Sequence, residues 1–164
     1  MRDYLVLKSF ENFNKTAVAE GAATGAAGFL MGLADLPALL GIKIAFLAKA
    51  AKLYGFDPDQ ASERLFMLCV FQLAFSGAQH QHETYELILH WEDNPLCEMN
   101  WEKLQMEYRD YLDIAKMMQM LPLIGAPVGA VTNGRLMKRL LVFTMNIYRM
   151  RIINKKCSSS DDHE

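Results

Sequence analysis

A chain of 164 residues with 52% hydrophobic content is long enough to bury a core of its own. Its net charge of −2 supplies no basic face of the kind nucleic acid requires. Three cysteines, Cys69, Cys97 and Cys157, show no CxxC spacing and point to a reducing compartment, not a disulfide framework. The opening MRDYLVLKSFEN has no apolar run with a small-residue cleavage site, so it does not read as a secretory signal.

Tyr4 to Glu20 places Tyr4, Leu7, Phe10, Phe13 and Ala17 at helical spacing and runs without a break into GAATGAAGFLMGLADLP. There Gly21, Gly25, Gly28 and Gly32 recur in steps of three and four, along one helical stripe. Glycine inside a helix costs about 1 kcal/mol relative to alanine. Such a run is expected where a second helix approaches closely. Asp35 and Pro37 end the stretch, because the residue before proline avoids the helical region. Asp35 sits between apolar segments and is expected to be a buried polar group that caps the next helix.

That helix is predicted over Leu36–Tyr54, with Leu39, Ile42, Phe46, Ala50 and Leu53 as its apolar stripe and Lys43, Lys49 and Lys52 off it. Gly55 is placed as its left-handed C-terminal cap. Asp57 or Asp59 is expected to start a helix reaching Phe75. Its segment LFMLCVFQLAF is apolar all round, as in a central buried helix. Gly77 breaks the pattern, and a polar helix follows over Gln79–Trp91. A charged amphipathic helix is predicted over Trp101–Gln119, whose charge run reads as a solvated face. The second glycine-spaced segment is LPLIGAPVGAVTN, with Gly125, Gly129 and the buried polar candidate Asn133. The last helix is predicted over Pro127–Ile153, with Arg135, Lys138, Arg139, Arg149 and Arg151 as a basic face. Residues 155–164 read as a disordered polar tail.

No segment alternates with period two, so no sheet is expected. The fold class is all-α: a compact helical bundle with two glycine-zipper-like segments, one domain over 1–154 and the tail. Every long apolar run is short or interrupted, so none is read as a membrane span.

Chemistry-bearing patterns are sparse. His82, Glu86 and His90 fall four residues apart on one helical face, a weak candidate set for a divalent metal. There is no GxSxG, and GAATGAAG lacks the GK[ST] ending of a phosphate loop. No catalytic or cofactor-binding residue is assigned.

Taken together, AEGAATGAAGFLMGLADLPALLGIKIAFL with LYGFDP, then ERLFMLCVFQLAF, then WEKLQMEYRDYLDIAKMMQMLPLIGAPVGAVTNGRLM with NIYRMRI resemble the EcsC protein family, in the same motif order over about Lys15 to Arg151. The resemblance implies a helical fold in a bacterial setting and a link to an ABC transporter, because the family's namesake is encoded beside one. It also implies that further helical sequence precedes the AEGAATG motif. It carries no catalytic residue to any position here. The reading that fits best is a non-enzymatic accessory factor at the cytoplasmic membrane, peripheral on its inner face. Its partners would be ABC transporter subunits and the membrane surface or lipid. The alternative is a soluble helical module for lipid or another apolar ligand. A metal-dependent enzyme built on the His82 face ranks last.

Overall fold

The computed structural model describes residues 1–27, 36–92 and 125–161, with side chains over 1–23, 40–77, 81–92 and 130–156. The described residues form five helices and no strand: α1 (Arg2–Ala27), α2 (Leu36–Tyr54), α3 (Ala61–Phe75), α4 (Ala78–Leu89) and α5 (Gly125–Asp161). The helix predicted over Trp101–Gln119 lies outside them, as do Gly28, Gly32 and Asp35.

α1 is one continuous helix of 26 residues, so the glycine-bearing end prolongs the first amphipathic segment. It buries Val6, Phe10 and Ala17 on one stripe. The Phe10 and Phe13 rings meet the Phe46 ring of α2 edge to face, at 5.7 and 5.8 Å between centroids. α2 buries Phe46, Leu47, Ala50, Ala51 and Tyr54. It ends in a Schellman turn at Gly55, whose φ of 95° is a conformation that other residues adopt only with strain. The Phe56 amide donates to the Ala51 carbonyl at 3.0 Å, and the Gly55 amide to that of Lys52 at 3.1 Å.

α3 packs against α2, α4 and α5. Leu65, Phe66, Met67, Cys69, Val70, Phe71, Leu73 and Ala74 are all buried, covering more than one face, as its all-round apolar sequence predicts. Its start is a correction to the sequence reading. Gln60 occupies the N-cap without a side-chain bond, and Asp57 instead accepts the Asp59 amide at 3.1 Å, closing the turn before it. At the other end the chain leaves the helix at Ser76 and Gly77. Gln81 of α4 reaches back across that break and donates to the Leu73 carbonyl at 3.1 Å.

α5 is 37 residues long and runs through Asp161. The disordered tail expected from residue 155 is therefore helical up to Asp161; the polar composition of KKCSSS did not stop a helix already nucleated by packing upstream. α5 runs antiparallel to α1. Arg149 pairs with Asp3, and fifteen residues away on both helices Gly134 packs on Val18. α2 packs against both, and α3 packs against α2 and α5.

Gly134 of α5 lies against Val18 of α1. A Cβ there would lie 3.2 Å from Val18 Cγ2. Gly21 is buried on α1; Gly25 lies on α1, and Gly125 and Gly129 on the first turns of α5.

Candidate functional site

The described polar groups gather in two places: a buried cluster across the bundle and an exposed stripe on α5.

The cluster begins at Glu63, on the first turn of α3, buried at 4% exposure. Tyr148 of α5 donates its phenol proton to Glu63 Oε1 at 2.6 Å. Arg151, one turn further on, donates from Nη1 to Glu63 Oε2 at 2.6 Å and from Nε to Glu92 Oε1 at 2.7 Å. The Arg151 guanidinium lies between the Phe56 and Phe66 rings, 4.1 Å from each centroid. Such stacking suits a planar, weakly hydrated cation. Phe66 also meets Trp91 edge-on at 5.2 Å.

Tyr148 stacks on Tyr54, with centroids 5.3 Å apart and planes 5° from parallel. Tyr54 then donates to Asp3 Oδ1 at 2.7 Å, and Arg149 donates to Asp3 Oδ2 at 2.8 and 3.0 Å. A single run of contacts therefore links α1, α2, α5, α3 and the turn after α4.

The electrostatics follow from this arrangement. Hydrogen bonds from Arg149 and then Tyr54 hold the Asp3 carboxyl below its ordinary range. Burial first, and the Glu63 charge next, push the Tyr148 phenol up. Burial and the bond to Asp3 do the same for Tyr54. Both phenols keep their protons at neutral pH, and both Glu63 oxygens are engaged. This is the bonding of a clamp between helices, with its acid and base groups already committed to one another.

Sequence reasoning put Arg151 on the basic surface face, but its side chain is only 11% exposed. It also put Lys43 off the apolar stripe of α2, but Lys43 is buried, and that burial lowers its pKa to about 8 against the opposing pull of Glu20. The signal for Arg151 lay in register. Tyr148 and Arg151 are three residues apart, hence on one face, among Met145 and Ile147. Asn133 is buried, as expected.

The metal candidates are not assembled. α4 ends at Leu89, so His90 has left the helix and the four-residue periodicity fails at its last member. His82, Glu86 and His90 are all exposed, and among the described residues no group of three His, Cys, Asp or Glu could hold a metal ion.

The stripe lies on the solvent side of α5. Val131, Arg135, Lys138, Arg139, Val142, Asn146, Arg149 and Ile153 are exposed along it. α5 carries seven Lys and Arg against one acid, Asp161, a net +6; the rest of the chain is −8, which together give the overall −2. Among the described residues no helix is long and apolar enough to cross a membrane.

An all-helical domain with a clamped core and a cationic outer helix is the class of protein these features define. The sequence profile of the EcsC protein family matches residues 1–153, and the chain belongs to that family. It is 38% identical over 154 residues to Protein EcsC of Bacillus subtilis (strain 168), covering 94% of this chain and 65% of that protein. It is 26% identical over 157 residues to the Uncharacterized protein YdbA of the same organism, covering 92% of this chain and 58% of that protein. The chain thus spans less than two thirds of either relative. No solved structure matches it.

Proposed function

We propose that this chain is a non-enzymatic accessory factor that works beside an ABC transporter or secretion complex at the inner face of the cytoplasmic membrane. The observation that carries this reading is the charge of α5. One helix holds a formal +6 in a molecule of net −2; Arg149 and Arg151 are spent on Asp3, Glu63 and Glu92, and Arg135, Lys138 and Arg139 turn to solvent. Each Lys or Arg near an anionic leaflet is worth about 1 kcal/mol of attraction. The rest of the molecule, being acidic, is repelled by the same leaflet, so the protein is oriented as well as attracted. The expected link of the family to an ABC transporter supplies the partner.

The test is cell fractionation followed by crosslinking in the cell and capture from membrane extract. The factor is expected with membranes at low salt, partly released at high salt, and crosslinked to a transporter subunit. Recovery wholly in the low-salt soluble fraction would overturn the membrane assignment. Recovery with membranes but without any transporter subunit would overturn the partner.

A further inference from the structure

Among the described residues, the exposed large apolar side chains of α5 are Val131, Val142 and Ile153, at 52%, 55% and 59% exposure. They are spaced eleven residues apart, twice. Eleven residues make three turns of an α-helix with an offset of only about 20°. The three side chains therefore stand in one nearly straight row on the solvent side, roughly 16 Å between neighbours. The first interval is cationic, filled by the exposed Arg135, Lys138 and Arg139, while Arg149 in the second is paired with Asp3 of α1.

We infer that α5 lies flat on an anionic phospholipid bilayer, with Val131, Val142 and Ile153 inserted between headgroups and Arg135, Lys138 and Arg139 on lipid phosphates. This deepens the membrane-surface reading given above and rests on it. The charge complementarity selects an anionic surface, and the apolar row selects one that accepts side chains below the phosphate plane. A nucleic-acid backbone offers the first and not the second. The Asp3–Arg149 ion pair sets the first turns of α1 alongside the far half of the row. Tyr4 and Leu7, both exposed, stand on those turns.

The experiment is co-sedimentation of the full chain with vesicles of phosphatidylglycerol and phosphatidylethanolamine, compared with phosphatidylcholine vesicles. The wild type is expected on the anionic vesicles and not on the neutral ones. The variant Val131→Ser, Val142→Ser, Ile153→Ser keeps every charge. Because these sites are exposed, it should keep its helical circular dichroism and melting midpoint. It is expected to bind roughly tenfold to a hundredfold more weakly. The variant Arg135→Gln, Lys138→Gln, Arg139→Gln is expected to lose about a hundredfold.

Serine-variant binding equal to wild type would overturn the inference, leaving a merely electrostatic contact. So would failure of the wild type to bind vesicles while it fractionates with membranes in cells; the membrane assignment would then survive through a protein partner. Preference for duplex nucleic acid over anionic vesicles would also overturn it. Vesicle binding lost in the serine variant, with a wild type found soluble in cells, would uphold the lipid row and reject the accessory role.

Discussion

Glu63 is the residue on which most of the buried polar contacts converge. Removing its cation partner leaves a carboxylate buried without charge compensation, which typically costs about 3–5 kcal/mol. Arg151→Ala is therefore expected to shift the urea unfolding midpoint strongly downward. Arg151→Lys should recover only part, because an ammonium neither stacks between Phe56 and Phe66 nor forks to Glu63 and Glu92 together. The double variant Glu63→Gln, Arg151→Met should be more stable than Arg151→Ala. It removes both charges and keeps an amide oxygen to accept the Tyr148 proton.

Lys43 gives a pH signature with a definite sign. Burial lowers its pKa to about 8, against an ordinary value of about 10.5. Between those values the unfolded chain holds the proton and the folded chain does not, so stability rises with pH. Over pH 8–10 the rise is expected to be roughly 2 kcal/mol. Lys43→Met should flatten it, as denaturant unfolding across that interval will show. Above pH 10 the raised phenols of Tyr54 and Tyr148 act in the opposite direction, because the unfolded chain ionises them first.

At the scale of elements, the pairing of α1 with α5 turns on Gly134. Alanine there gains up to about 1 kcal/mol in helix propensity. Its Cβ would also sit 3.2 Å from Val18, so Gly134→Ala should be close to neutral. Gly134→Val should lose about 1–3 kcal/mol by overpacking. Val18→Ala should relieve much of that loss in the double variant, a coupling that thermal melts of the four proteins will measure.

The helices themselves were legible in the sequence. α2 appears with its predicted bounds, because Pro37 and Gly55 are unambiguous local signals. The long α1 and the buried α3 follow from periodicity and its absence. What stayed hidden was which residue of each set faces which neighbour. Arg151 and Lys43 have the composition of surface residues. Only the crossing of α5 over α3, and of α2 over α1, makes them interior. The contact of Gly134 with Val18 is likewise not marked by the sequence, since Gly134 lies beyond the spaced runs.

For the whole molecule, neither the clamp nor the row on α5 could be found from sequence windows. The clamp joins Asp3, Tyr54, Glu63, Glu92 and Arg151, which no window spans. The row of Val131, Val142 and Ile153 is regular, but it looks like core until the exposures are known. The basic face of the last helix was legible in the sequence at Arg135, Lys138, Arg139 and Arg149, which are exposed, and not at Arg151, which is buried against Glu63.

The antiparallel pairing of the first helix with the last has a consequence for synthesis. A ribosome releases α1 long before Gly134 and Arg149 exist, so Val6, Phe10 and Ala17 must wait without their main partner while over a hundred residues are added. During that interval the apolar face of α1 lacks the cover that α5 gives it in the folded chain. Closure of the bundle therefore waits until α5 itself has been made.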